Sequence, residues 1–263
     1  MRIALGLEYH GGAFCGWQTQ PSGCAVQDVL ERALAAIAGE KISTICAGRT
    51  DAGVHALEQV VHFDTSVERP DSAWVRGVNA LLPVGAAVIW SRPAAEFHAR
   101  YAALERCYRY VLLNHPQRPA LNHGRVGWSH LPLDIDTMRI SAKHLLGKHD
   151  FSAFRSSECQ AKSPVRALRS WVLEQRGAHL RFELTANGFL HHMVRNIVGS
   201  LLYVGCGRKP THWLKEVLES RDRGAAAPTF EASGLYLAQI TYEERWSLPG
   251  FPRIMPFLYP GPV

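Results

Sequence analysis

The chain has 263 residues, a net charge of +6, and 47% hydrophobic and 20% charged residues, the composition of a globular protein with one large core or two ordinary ones. These values exclude a disordered or fibrous chain, and no run approaches the ~20 consecutive apolar residues of a membrane span. The basic balance favours a polyanionic partner.

Residues 1–6 enter a strand pattern at once and lack a signal-peptide layout, which points to a cytoplasmic protein. Ile3, Leu5 and Leu7 alternate over 2–9 as a strand. The glycine-rich loop 11–18 follows. It fits neither Gly-x-Gly-x-x-Gly nor a loop ending in Gly-Lys-Ser/Thr, so no nucleotide cofactor is expected. Its Phe14 and Trp17 either face a ligand or pack inside.

Val26, Val29, Leu30, Ala33, Leu34 and Ile37 recur at helical spacing up to a stop at Gly39. Strands at 42–46 and 59–64 flank a loop. A helix over 71–81, capped by Asp71 or Ser72, ends before Pro83, and 86–90 is a short strand. The order β-α-β-β-α-β is the ferredoxin-like arrangement.

The second half repeats it: strand 105–113, a helix over 136–146 capped by Asp134 or Asp136, strands 165–175 and 179–187 joined at Gly177-Ala178, and a long helix from about Phe189 to Val204. An extra helix over 211–221 precedes a strand at 235–242. The expected fold is α+β, of the α/β-plait type. Two ferredoxin-like halves, 1–103 and 104–246, would share a pseudo-symmetric, mainly antiparallel sheet with a central cleft, and residues 247–263 form an irregular proline-rich tail.

Six cysteines (15, 24, 46, 107, 159 and 206) are scattered without Cys-x-x-Cys spacing and are expected to be reduced. No His-Glu-x-x-His cluster occurs, and the adjacent His191 and His192 should point to different sides of a helix, so no metal is expected. Between Arg92 and Arg125 six arginines face two acids, Glu96 and Glu105. They interleave with Phe97, Tyr101, Tyr108 and Tyr110, a pairing suited to single-stranded or looped RNA, with a solvated strand face as the lesser alternative.

The stretch of most chemical interest is Gly48-Arg49-Thr50-Asp51-Ala52-Gly53-Val54-His55. Its glycines allow a sharp turn and close approach to a ligand. Arg49 and Asp51 share one side of an extended segment, where the cation would favour the ionised carboxylate. Taken locally, this fits a surface turn with an internal ion pair or a reactive loop.

The stretch resembles the active-site signature of pseudouridine synthases, in the form found in the tRNA pseudouridine synthase A family. Further matching segments are Gly11–Gln18, Phe97–Arg100, Tyr108-Arg109-Tyr110, Asp150–Arg155, Asn187–Gly199 and Glu231–Leu237. Cys107 departs from the pattern, where a polar or basic residue is expected. The resemblance implies isomerisation of uridine to pseudouridine at positions 38, 39 and 40 of the tRNA anticodon stem-loop, without cofactor or metal, by a homodimer. It implies that Asp51 is the catalytic carboxylate and that Arg195, across the cleft, is its counter-charge. Tyr108 would stack on the uracil, and Arg49 would touch RNA phosphate or the extruded base. The competing reading is a non-catalytic ferredoxin-like RNA-binding module, which would not need the Asp51 carboxylate.

Overall fold

A computed structural model describes residues 1–250; of the tail expected over 247–263, residues 251–263 lie outside the described residues. The chain divides into two compact units. Unit 1 comprises Met1–Glu105 with the segment from Tyr236 onward, and unit 2 comprises Arg106–Leu235.

In unit 1, β1 (Arg2–Tyr9), α1 (Val26–Ala38), β2 (Thr44–Cys46), β3 (His55–Asp64), α2 (Val78–Leu81) and β4 (Ala86–Pro93) follow in that order. The antiparallel strand order β4-β1-β3-β2 is that of a ferredoxin-like sheet. Ile3, Leu5 and Leu7 are buried, because β1 is central and helices cover its face. Gly39 ends α1 in the left-handed conformation at φ 73°, as expected of a glycine stop. The 71–81 helix forms with a π-helical turn, Ala73–Gly77, ahead of α2, where Trp74 is fully buried edge-on against Phe63 at 5.2 Å.

Unit 2 is built from β5 (Glu105–Asn114), β6 (Gly127–Ser129), α3 (Ile135–Ala142), β7 (Gly147–Asp150), β8 (Val165–Arg176), β9 (His179–Ala186), α4 (Met193–Gly205) and α5 (Trp213–Ser220). Strands β5-β9-β8-β7 run antiparallel, with β6 parallel to β5. Asp134 is the cap of α3, its carboxylate accepting the N–H groups of Asp136 and Thr137 at 3.0 Å each. Helix α4 is buried along nearly its whole length. Its Asn196 amide donates to the Phe154 carbonyl (2.8 Å) and accepts from Thr229 (2.7 Å) and Arg223 (3.1 Å).

The last strand, β10 (Leu235–Thr241), pairs in parallel with β3, Tyr236 opposite His55 and Leu237 opposite Ala56. It takes the part of the β3 edge that β2, paired with Val61 to Phe63, does not reach.

Two expectations are corrected. Cys15 and Cys24 are not reduced but joined in a disulfide. The glycine-rich loop doubles back, so that the Cys15 N–H donates to the Cys24 carbonyl (3.1 Å) and the two Cα atoms stand 5.5 Å apart. The long helix also starts at Met193 rather than near Phe189. His192 adopts φ 63°, which a continuing helix cannot. His191 and His192 are therefore outside the helix, and their rings lie together at 4.0 Å instead of diverging.

Candidate active site

Residues 47–54 link β2 to β3 and are tied down at almost every backbone step. The Ala47 N–H donates to the Val60 carbonyl at 2.8 Å. Gln59, fully buried on β3, holds Gly48 twice, donating to its carbonyl (2.5 Å) and accepting from its N–H (3.4 Å). Thr50 is buried with its Oγ1 2.8 Å from the Tyr9 hydroxyl, which also accepts from Gln59 Nε2 at 3.4 Å. The Thr50 carbonyl accepts the Trp17 N–H (2.9 Å), and the Val54 N–H closes a turn onto the Asp51 carbonyl (3.1 Å).

The glycine-rich loop is the second wall of this structure. Gly16 has φ 96°, and a Cβ there would stand 3.0 Å from the Thr50 carbonyl oxygen and 3.1 Å from the Ala52 nitrogen. Only glycine provides both that conformation and that approach. The Gly11 N–H donates to His55 Nδ1 at 3.0 Å, and His55 stacks on Tyr236 at 4.5 Å. Gly16 and Trp17 in turn accept the N–H groups of Val26 and Gln27, which connects the loop to the start of α1.

Asp51 therefore has a fixed backbone on both sides while its own side chain stays partly exposed. Arg49 is exposed. Its charge is felt at Cys46, whose thiol burial pushes up to about 12 while Arg49 and Arg100 partly oppose the rise. Burial also lifts the Tyr9 phenol above its ordinary value, against the pull of its bonds to Thr50 and Gln59, so Tyr9 is a neutral structural hydroxyl. Trp17 is buried beside Tyr9 (6.1 Å), and Phe14 is mostly buried edge-on to it (6.5 Å), so both pack rather than face a ligand.

The other two candidates belong to unit 2. Tyr108 on β5 is 8% exposed, with its ring edge-to-face with Phe189 at 5.0 Å. Tyr110, on the same side, is wholly core, its hydroxyl donating to the Glu231 carbonyl at 3.0 Å. Arg195 lies in the first turn of α4. Its Nε donates to the Phe230 carbonyl (2.8 Å) and its own carbonyl accepts the Phe230 N–H (3.4 Å), which orients the guanidinium. Tyr9 and Gln59 went unrecognised in the sequence. Nothing local marks them, because their partners are 41 and 11 residues away.

An α+β fold with an Arg-Thr-Asp loop on a ferredoxin-like hairpin defines the pseudouridine synthase class of RNA-modifying proteins. The chain belongs to the tRNA pseudouridine synthase family, whose sequence profile matches residues 6–102 and 141–243. It is 60% identical over 258 residues to the tRNA pseudouridine synthase A of Thiobacillus denitrificans, covering 98% of this chain and 99% of that protein. It is 58% identical over 250 residues to the protein of that name from Burkholderia thailandensis, covering 95% and 93%.

Proposed function

We propose that the protein converts uridine to pseudouridine at positions 38, 39 and 40 of the tRNA anticodon stem-loop, acting in the cytoplasm as a homodimer. The observation that carries this reading is the Asp51 loop itself, with its backbone held by Gln59 and Trp17, its Thr50 hydroxyl held by Tyr9, and Asp51 partly exposed. A carboxylate held on fixed backbone is what chemistry at a ribose carbon needs, because misplacement of the reacting group is costly.

The reaction is an isomerisation. The N1–C1′ bond breaks, a C5–C1′ bond forms, C5 loses a proton and N1 gains one, so atoms and electrons balance without an oxidant or energy donor. Asp51 supplies the carboxylate acting at the ribose, a role with a physical parallel in glycosidases. Arg195 supplies the counter-charge to the Asp51 carboxylate. Extruding the uridine costs a few kcal/mol of stacking, and stacking on Tyr108 returns ~1–3 kcal/mol. Arg49, exposed in the same loop as Asp51, contacts an RNA phosphate or the extruded base.

Release of tritium from tRNA labelled at uridine C5 tests the reading directly. Purified protein and unmodified tRNA should release it, and changing the uridines at 38, 39 and 40 to cytidine should stop the release. Tight tRNA binding without release would favour the RNA-binding module instead.

A further inference from the structure

The covered face of the unit 2 sheet ends in cations. Across it Tyr110 is opposite Phe182, Tyr108 opposite Leu184, and Arg106 opposite Ala186, which in turn pairs with Leu168. Residues two apart on a strand share a face, so Arg106 on β5 and Arg166 on β8 terminate an otherwise apolar surface. Both lie against the segment before α4. The Arg106 guanidinium donates to the Asn187 carbonyl at 3.3 Å, and a Cβ on Gly188 would be 3.5 Å from Arg166 Nε.

A third guanidinium joins them. Arg155 Nη2 donates to the carbonyls of Cys159 (2.5 Å) and Ala161 (3.0 Å), and Cys159 Sγ accepts the His191 N–H at 3.4 Å. Arg166 Nη1 is held likewise by the carbonyls of Ser163 (2.9 Å) and Val165 (2.7 Å). Backbone carbonyls fix the direction of a cation without neutralising it. Among the described residues neither Arg155 nor Arg166 is in an ion pair with a carboxylate; Asp150, which feels the charge of Arg155, is 3.7 Å from Arg221.

The electrostatics suit an anion-binding site. Burial holds Arg166 below its ordinary value; Cys159 opposes this, while Arg155 and Arg106 push it lower still. Burial would raise the Cys159 thiol, yet the N–H groups of Ala161 and His191 and the Arg155 charge hold it below its usual value. Arg155 and Arg166, held by carbonyls at one end of an apolar surface with Arg106 beside them, repel one another and favour an anion.

We propose that Arg106, Arg155 and Arg166 form a phosphodiester-binding subsite that seats the RNA backbone next to the Tyr108 ring. Tyr108 is two residues along β5 from Arg106, and its partner Phe189 follows Gly188, so phosphate ligands and base platform are continuous. Guanidinium forks suit a phosphodiester, which takes two parallel N–H donors. This subsite rests on the reading of the protein as an RNA-modifying enzyme.

The test compares wild-type, Arg166→Gln and Arg166→Lys proteins by tRNA affinity at several salt concentrations, thermal unfolding and pseudouridine formation. Arg166→Gln should bind tRNA about ten-fold more weakly, with the slope of log affinity against log salt reduced by about one. Its Tm should be unchanged or higher, because a repelled cation has gone, and Arg166→Lys should restore the slope. Unchanged affinity and slope in Arg166→Gln would overturn the subsite, as would a loss that comes with a lower Tm and is not rescued by lysine. A wild-type protein that forms no pseudouridine would instead defeat the functional reading, and the salt slopes would still decide the subsite.

Discussion

The Tyr9 hydroxyl sits 2.8 Å from Thr50 Oγ1, beneath the residue that precedes Asp51. It is the buried end of a chain of bonds that continues through Gln59 to Gly48, and so it fixes the backbone on the N-terminal side of the carboxylate. Tyr9→Phe removes the hydroxyl but keeps the ring packing. It should destabilise the protein by about 1–3 kcal/mol, since it leaves buried polar groups of Thr50 and Gln59 short of a partner. Turnover should fall while KM for tRNA stays nearly constant, because the loop's geometry is disturbed and not its exposed surface. Steady-state kinetics separate the two; a change in KM alone would contradict this role.

Arg195→Ala should abolish most turnover and leave tRNA affinity close to wild type, measured by pseudouridine formation and by filter binding. The variant also loses the bond from Arg195 Nε to the Phe230 carbonyl, so a small drop in Tm is expected alongside. Normal turnover would remove Arg195 from the catalytic assignment.

The Cys15–Cys24 disulfide closes a short loop, with a sequence separation of 9, that contains Gly16 and Trp17, the residues braced against Thr50. A cross-link over so short a loop stabilises by ~2–3 kcal/mol in the chain-entropy account. Reductant, or Cys24→Ser, should therefore lower the Tm by several degrees. A Tm indifferent to reductant would show that the bridge contributes nothing to stability in solution.

Much of this architecture was legible in the sequence. The alternation of Ile3, Leu5 and Leu7, the Gly39 stop and the Asp134 cap are local signals, and such signals suffice to place most of the longer strands and helices. Local signals left the Arg-Thr-Asp loop open between a surface turn and a reactive loop, and the resemblance to the family signature singled out Asp51. What stayed hidden depends on contacts between distant residues. Strands β6 and β7 are three and four residues long, too short for an alternating pattern. The start of α4 turns on the left-handed conformation of His192, an uncommon state for a residue with a side chain. The disulfide requires knowing that the glycine-rich loop folds back, and the Tyr9–Thr50–Gln59 chain joins three separate segments.

Acid sensitivity should trace in part to His62. It is buried, its Nδ1 accepts the Ala99 N–H at 3.1 Å, and the His98 ring lies 4.7 Å away. Burial, then Arg2 and His98, lower it to about 4, with Asp64 opposing. The unfolded chain thus takes up a proton on His62 below its ordinary value near 6.5, while the folded chain resists until about 4. The stabilisation is complete above that ordinary value and is lost as pH falls from 6.5 toward 4, by up to a few kcal/mol. Urea melts across this range should show a shallower loss of stability for His62→Gln than for wild type. Parallel slopes would contradict the assignment.

The most direct measurement is site-resolved pseudouridine mapping of unmodified tRNA after incubation with wild-type protein or with Asp51→Ala, with tRNA affinity measured for both. Removing an anion from a loop proposed to face RNA should leave tRNA affinity equal or higher. Pseudouridine should form at 38, 39 and 40 with wild type and not with Asp51→Ala, and the variant should bind tRNA undiminished. Pseudouridine formed by Asp51→Ala at the wild-type rate would show that this carboxylate does not perform the chemistry.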